Sequence, residues 1–150
     1  MPSKRRIRLS LRRGEAMMTH KVSIGRDKLV YVLLADRKLS YGQKIRKKSR
    51  IVYIGTTKTG ISRIAQSVAA RAEDIFSIPG VMSFHVRIVT CRPRRRVKTW
   101  RKLERALLIS FREHFGEVPL CNSHGKKMRR TNEFQFFAEA GIKSLIEELS

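Results

Sequence analysis

Two short apolar runs, rich in residues that favour β-structure, constrain the fold of this chain more than any other feature. Residues 29–34 read LVYVLL, residues 51–54 read IVYI, and Gly55 ends the second run. Runs of this length, bounded by polar and turn-forming residues, predict buried strands rather than helices. We therefore expect an antiparallel hairpin whose two strands are joined by a long loop over residues 36–50.

The chain after this hairpin alternates between helical and strand patterns. Apolar spacing predicts a helix over about 60–72, and the apolar and polar alternation of residues 82–89 predicts a half-exposed third strand. A second helix is predicted over 100–115, and a last helix over 131–149. The expected fold class is α/β (α+β), with a central three-stranded antiparallel sheet flanked by helices in one domain over residues 28–150.

The charge of the chain points to a polyanionic partner. It has 34 Lys and Arg against 12 Asp and Glu, a formal net charge of +22. An excess of this size indicates nucleic acid first. An anionic membrane surface is the weaker alternative, because the basic clusters fall in predicted loops rather than on an amphipathic helix. No run approaches the roughly 18 apolar residues of a membrane span.

Positive charge is concentrated near the start of the chain, where residues 1–50 hold 16 Lys and Arg. Residues 1–27 show no sustained period and are interpreted as a basic arm that orders on nucleic acid. No apolar segment typical of a secretory signal follows the basic start. Cys91 and Cys121 lack the spacing of a zinc site or a disulfide framework. We expect reduced thiols and a cytoplasmic or nucleoid-associated, intracellular protein.

The predicted loop over 36–50 interleaves basic residues with Tyr41. Basic side chains there would contact phosphates while the aromatic ring inserts against bases, and a solvated loop is the alternative. A second basic cluster lies in the turn before the second helix. The predicted substrate contacts in these two segments are Tyr41, Lys44, Arg46, Lys47, Lys48, Arg94, Arg95 and Arg96.

Five polar residues occupy this framework in a recognisable order. They are Tyr31 in the first strand, Tyr53 in the Tyr-Ile-Gly of the second strand, Arg63 in the first helix, Glu104 in the second helix, and Asn122 after Pro119. Over residues 29–122 this order resembles the GIY-YIG nuclease family. The chain departs from the family where the first motif reads Val-Tyr-Val, and where Thr56 and Ser67 stand in place of a lysine and a histidine.

The resemblance implies a metal-dependent endonuclease that hydrolyses the phosphodiester bonds of DNA. Glu104 would ligate Mg²⁺ or Mn²⁺, and one carboxylate suffices because Mg²⁺ keeps several waters and binds substrate phosphates. Arg63 would stabilise the transition state, because its planar fork donates two hydrogen bonds to the transferring phosphate. By the same resemblance Tyr31 would accept the proton of the attacking water, although a free tyrosine has a pKa of about 10.

The remaining site residues have supporting roles in this interpretation. The resemblance implies that Tyr53 positions water or phosphate, that Lys58 contacts phosphate, and that Asn122 holds the site together. His85 and His124 are weaker candidates for proton transfer.

Two other functions stay open from the sequence. The first is a non-catalytic basic protein that binds DNA or RNA with the same fold. Glu104 argues against it, because a carboxylate beside a phosphate weakens binding unless a metal intervenes. The second is a nuclease that acts on RNA, since recognition of the 2′-hydroxyl leaves no local motif. We expect DNA ahead of RNA, and a monomer or a dimer on the substrate.

Overall fold

The computed structural model describes residues 28–44, 46–58, 61–92 and 94–150. Its elements are β1 (Leu29–Tyr41), β2 (Lys47–Thr57), α1 (Ile61–Phe76), β3 (Phe84–Val89), α2 (Thr99–Phe115), α3 (Glu133–Phe136) and α4 (Glu139–Leu149). The predicted basic arm over 1–27 lies outside the described residues. The described part is α+β, and its three-stranded antiparallel sheet has the order β2-β1-β3, so the predicted sheet is confirmed.

Both strands of the hairpin are longer than the apolar runs that predicted them. Tyr41 pairs with Lys47, so residues 42–46 alone connect the strands, and the long loop predicted over 36–50 is wrong. The register shifts between Leu34 and Leu39, where β1 carries extra residues that are exposed. Such a bulge interrupts the alternation of apolar and polar side chains without ending the strand. This interruption made the second half of β1 look like a loop.

The sheet separates two apolar clusters because successive residues of a strand point to opposite faces. One face of β1, with Val30, Val32 and Leu34, packs against α2 and α4. The other face, with Tyr31 and Leu33, packs against α1. The site residues predicted from the sequence therefore lie on different faces of the sheet. Tyr31 and Tyr53 lie on the face that α1 covers, whereas Glu104 belongs to α2 on the other face.

The helices follow the sequence prediction except at the end of the chain. α2 ends at Gly116, whose φ of 82° is left-handed and whose N–H donates to the Arg112 carbonyl at 2.8 Å. The single helix predicted over 131–149 is wrong, because Phe137 is extended and divides α3 from α4. Hydrogen bonds from Thr131 to the buried Glu133 fix the start of α3 separately. None of the helices in the described ranges is both long and apolar enough to cross a membrane.

Candidate active site

The centre of the hairpin brings Tyr31 and Tyr53 into contact. Their ring centroids are 5.8 Å apart, and the side chains are 2% and 6% exposed. Tyr31 pairs with Gly55 across the strands, and Gly55 lies on the same face as Tyr53. A Cβ at Gly55 would lie 2.5 Å from the Tyr53 ring and 3.0 Å from the Tyr31 hydroxyl. The glycine of the Tyr-Ile-Gly sequence therefore provides the space that both rings occupy.

Burial is the main influence on the Tyr31 hydroxyl. Together with the neighbouring Tyr53, burial raises the pKa of Tyr31 to about 12, although a hydrogen bond with Ser67 and the charge of Arg71 oppose this shift. Tyr31 therefore carries its proton at neutral pH. The Arg71 guanidinium lies over the Tyr53 ring at 4.7 Å, and its Nη2 is 3.5 Å from the Tyr53 hydroxyl.

Glu104 reaches the end of β2 from the other face of the sheet. Its Oε2 accepts a hydrogen bond from the Thr56 hydroxyl at 3.2 Å, and its Oε1 lies 3.2 Å from Nε2 of His124. Thr56 pairs with Val30, on the face that packs against α2. The carboxylate is thus fixed by a strand and by the segment after α2, and its side chain is 15% exposed.

An open pocket of about 450 Å³ lies where β2 ends and α1 begins. Its lining residues are Thr56, Thr57, Lys58, Arg63 and Ser67. Thr56 is hydrogen-bonded to Glu104, and Ser67 is hydrogen-bonded to Tyr31. The pocket therefore lies between the carboxylate and the tyrosine pair, and it offers two cationic side chains to an anion.

Arg63 is exposed at this pocket, as a phosphate-binding residue would need to be. Its Nη1 donates a hydrogen bond to Oε1 of Gln66 at 2.7 Å. Tyr31, Tyr53, Glu104 and Asn122 do not line the pocket. Contact between these four residues and a phosphate stays a prediction.

Asn122 is 5% exposed, and its side-chain amide binds the main chain of β2. Oδ1 accepts the Ile54 N–H at 3.0 Å, and Nδ2 donates to the Ile54 carbonyl at 2.9 Å. Next to it, the Cys121 N–H donates to the Val52 carbonyl at 2.9 Å. Asn122 therefore supports the strand that carries the Tyr-Ile-Gly sequence.

The prediction that Tyr41 inserts against bases is wrong, because its side chain is fully buried. Its hydroxyl donates to the Ile51 carbonyl at 2.6 Å and accepts the Leu120 N–H at 3.1 Å. The ring packs against Phe111 and Phe115, with centroids 5.0 and 5.8 Å away. An aromatic residue at the end of β1 thus joins the core beneath α2 instead of reaching solvent.

The basic residues of the hairpin end are exposed but lie away from the pocket. They are Lys44, Arg46, Lys47 and Lys48, and we call them the hairpin-tip cluster. Lys47 and Thr56 are nine positions apart on β2, which corresponds to about 30 Å at the rise of a strand. The structure therefore does not bring the hairpin-tip cluster together with Lys58 and Arg63.

The second basic cluster, Arg94, Arg95 and Arg96, is exposed just before α2. Arg94 and Val97 form an isolated β-bridge, and Arg96 has a positive φ of 62°. The Arg94 guanidinium lies 5.6 Å from the centroid of the Phe136 ring. The Arg94–Val97 bridge and the contact with Phe136 hold this turn, and it presents its charge to solvent.

Sequence reasoning missed Arg71, and it missed the contacts that Ser67, Thr56 and His124 make with the predicted site residues. Ser67 and Arg71 follow Arg63 at intervals of four, so all three lie on one face of α1. This spacing, which already singles out Ser67, is the signal that could have identified Arg71. The contacts of Thr56 and His124 with Glu104 join residues 48 and 20 positions apart, and no local pattern predicts them.

Glu104 fits a site that holds a hard cation through one carboxylate. In the part of the chain that the structure describes, no three His, Cys, Asp or Glu side chains are grouped to hold a metal ion. An ion there would complete its coordination with waters and substrate oxygens, as Mg²⁺ commonly does. One Glu104 oxygen is oriented by Thr56, an outer contact of the kind that positions metal ligands.

Comparison with known proteins found no relative of this chain. No family model matches it, and the searches of curated proteins and of solved structures gave no match.

Proposed function

We propose that this chain is a metal-dependent endonuclease of the GIY-YIG type that hydrolyses phosphodiester bonds of DNA. One observation carries the proposal: Glu104 is hydrogen-bonded to Thr56 at the edge of a pocket that also contains Lys58 and Arg63. Two cations favour a phosphate in this pocket, but a carboxylate beside it opposes binding. A divalent metal ion held by Glu104 would remove this conflict by supplying positive charge beside the carboxylate.

Phosphate binding is assigned to Arg63 and Lys58. The Arg63 guanidinium keeps its charge and can donate two parallel hydrogen bonds to phosphate oxygens. Its exposed contact with Gln66 is given up at little cost, because exposed polar contacts contribute little to stability. When bound to Glu104, Mg²⁺ or Mn²⁺ would stabilise charge on the phosphate oxygens as a Lewis acid.

The hydrolysis itself needs a proton acceptor and a protonated leaving group. The oxygen of water attacks phosphorus, the bond from phosphorus to the 3′ oxygen breaks, and the departing oxygen takes a proton from solvent. Tyr31 accepts the proton of the attacking water in this scheme, and it must then be a phenolate. Ser67 and Arg71 support that form, because the hydrogen bond and the positive charge both lower the pKa of Tyr31.

Tyr53 and Asn122 act on the shape of the site in this proposal. The Tyr53 hydroxyl lies within 3.5 Å of Arg71 and is hydrogen-bonded to Tyr31, so it positions the Tyr31 hydroxyl and the water beside it. Asn122 fixes the main chain of Ile54, next to Gly55. Neither residue needs to touch the phosphate for its loss to lower the rate.

A second candidate function is non-catalytic binding of DNA or RNA. It is favoured by Tyr31, which is 2% exposed and has a pKa raised by burial to about 12, so that a phenolate is scarce at neutral pH. The net charge of +22 supports phosphate binding equally well in either case. Cleavage of RNA instead of DNA would use the same groups on a different substrate.

Plasmid cleavage separates these functions. Supercoiled plasmid or a structured RNA would be incubated with each protein in Mg²⁺, in Mn²⁺ and in a chelator. The proteins are wild type, Glu104→Gln, Arg63→Ala and Glu148→Gln. Glu148→Gln is the matched control, because it changes an exposed acid on α4. We expect metal-dependent nicking of DNA by wild type and Glu148→Gln alone. If all four proteins bind DNA and none cuts either substrate, the binding function replaces the nuclease.

A further inference from the structure

Hydrolysis by Glu104, Arg63 and Tyr31 does not require the contact between His124 and Glu104. Nε2 of His124 lies 3.2 Å from Oε1 of Glu104, and the two side chains are 51% and 15% exposed. His124 belongs to the segment after α2, whereas Glu104 lies in the first half of α2. The fold thus brings an imidazole nitrogen to the one carboxylate that the metal-dependent scheme requires.

The separation of these two atoms suits ligands of a single ion. Two ligand atoms at about 2.1 Å from a metal are about 3.0 Å apart at a right angle and about 3.4 Å apart at a tetrahedral angle. The observed 3.2 Å lies between these values. A single ion could therefore bind both atoms without a change in their separation, once the exposed His124 ring turns its nitrogen from the oxygen towards the ion.

The other Glu104 oxygen is already held in place. Oε2 accepts a hydrogen bond from the Thr56 hydroxyl at 3.2 Å, which leaves Oε1 directed towards His124. Outer hydrogen bonds of this kind fix the orientation of ligating carboxylates. The pocket with Lys58 and Arg63 begins at Thr56, so a phosphate bound there would lie beside the ion.

A mixed nitrogen and oxygen pair selects among metals. Imidazole suits the later first-row ions such as Co²⁺, Ni²⁺ and Zn²⁺, whereas Mg²⁺ prefers oxygen ligands and gives up its waters reluctantly. Since the described residues contain no group of three such ligands, open positions stay for water and phosphate, as in catalytic sites.

We propose that His124 is a second metal ligand beside Glu104, and that this pair gives the site a preference for a first-row transition ion over Mg²⁺. The proposal rests on the proposed metal-dependent function but concerns binding, which is measured without cleavage.

Metal titration of the full chain tests this assignment. Co²⁺ and Mg²⁺ would be titrated by calorimetry, with visible absorption to follow nitrogen coordination of Co²⁺. The proteins are wild type, His124→Ala, Glu104→Gln and the matched control His85→Ala, since His85 is exposed on β3 and pairs with Leu34. Circular dichroism verifies that each variant is folded.

We expect wild type to bind Co²⁺ at least tenfold more tightly than Mg²⁺. His124→Ala should lose on the order of tenfold or more of the Co²⁺ affinity with little change for Mg²⁺, Glu104→Gln should lose both ions, and His85→Ala should match wild type. His124→Asp, which supplies an oxygen instead, should bring the two affinities together.

Equal Co²⁺ affinity in wild type and His124→Ala overturns the proposal, as does wild type that prefers Mg²⁺. These failures differ from failure of the nuclease function. Co²⁺ binding that depends on His124 supports the site even where no substrate is cut. Conversely, if cleavage requires Glu104 but Co²⁺ binding does not depend on His124, the assignment of His124 as a ligand is wrong and the nuclease function still stands.

Discussion

The Asn122 side chain takes the place of a neighbouring strand at Ile54, with one hydrogen bond of 3.0 Å to the N–H and one of 2.9 Å to the carbonyl. β2 lies at the edge of the sheet, so its outer main-chain groups need partners from elsewhere. The shape of the Tyr-Ile-Gly segment therefore depends on a residue 68 positions further along the chain.

Asn122→Ala is expected to lower the free energy of unfolding by about 3 kcal/mol, because it leaves a buried N–H and a buried carbonyl without partners. Urea unfolding followed by circular dichroism measures this loss. The control is Asn132→Ala, which changes a half-exposed asparagine before α3 and should cost less than half as much. A loss below 1 kcal/mol for Asn122→Ala would show that water replaces the amide at Ile54.

Gly55→Ala is expected to displace the two site tyrosines while the fold is kept. The new Cβ would lie 2.5 Å from Cε1 of Tyr53, which is closer than real Cβ contacts, and a tight 3.0 Å from the ring of Tyr31, so at least the Tyr53 ring must move. If the proposed nuclease function is correct, cleavage should fall by tenfold or more with plasmid binding unchanged, since small misplacements of reacting groups are costly. Gly141→Ala, with no atom within 4 Å of its Cβ, is the control. Wild-type cleavage by Gly55→Ala would separate the tyrosine pair from the chemistry.

Local pattern predicted the parts of this fold that depend on neighbouring residues. The apolar runs around Tyr31 and Tyr53 marked both strands, and apolar spacing predicted the bounds of α2 to within one residue. The structure determined by distant partners was not predictable. Burial of Tyr41 depends on Phe111, which lies 70 positions away, and only tertiary packing decides whether an aromatic residue beside a turn is buried or exposed.

The candidate site, like the fold, has features that local sequence predicts and features that depend on distant contacts. The order of the site residues along the elements was visible in the sequence. However, the position of Glu104 on the opposite face of the sheet from Tyr31, and its contacts with Thr56 and His124, depend on how α2 crosses the strands. No spacing in the sequence contains that crossing. The hydrogen bonds of Thr56 with Glu104 and of Ser67 with Tyr31 are set by the same packing and leave no local pattern either.

If the hairpin-tip cluster binds DNA, the length of duplex that the protein contacts should extend well beyond the pocket. A separation of about 30 Å along β2 corresponds to roughly nine base pairs of B-form DNA. The logarithm of the binding constant falls linearly with the logarithm of the salt concentration. Replacing all four cluster residues by alanine should make this slope less steep by about 3 to 4 for a duplex of about 25 base pairs. The slope for a duplex of about 8 base pairs should change little.

Fluorescence anisotropy at several salt concentrations measures both slopes. The matched control removes four exposed cations elsewhere, at Lys126, Lys127, Arg129 and Lys143. If the slope for the control became less steep by the same amount, binding of the duplex would depend on the net charge of the protein and not on the hairpin-tip cluster.

Tyr31 should make the protein less stable in alkaline solution. Burial raises the pKa of Tyr31 to about 12, against about 10 in an unfolded chain. The resulting stabilisation is fully present below pH 10 and is lost as the pH rises through 12, which amounts to about 3 kcal/mol. Denaturant unfolding from pH 9 to 12 should show a smaller decline for Tyr31→Phe than for wild type. Parallel curves would mean that the Tyr31 hydroxyl ionises as freely in the folded protein as in the unfolded chain.

Glu133 should make the protein less stable in acid. Its side chain is fully buried, accepts a hydrogen bond from Nε of Arg105 at 2.6 Å, and accepts two from Thr131. Burial opposes its ionisation, but these hydrogen bonds outweigh burial and lower the pKa of Glu133 to about 2. The stabilisation is therefore present above about pH 4.5 and is lost as the pH falls through 2.

Glu133→Gln should remove about 3 kcal/mol at pH 7 and much less at pH 2, because it deletes the charge that Arg105 and Thr131 stabilise. Thermal unfolding from pH 7 to pH 2 measures this as a decline in wild type that is shallower in the variant. Glu139→Gln is the control: Glu139 is also bound by an arginine, Arg130, but it is exposed on α4, and exposed pairs contribute little. If the control declines as wild type does while Glu133→Gln does not, the acid sensitivity of the fold resides where α3 is joined to α2. Identical behaviour of all three proteins would place it elsewhere.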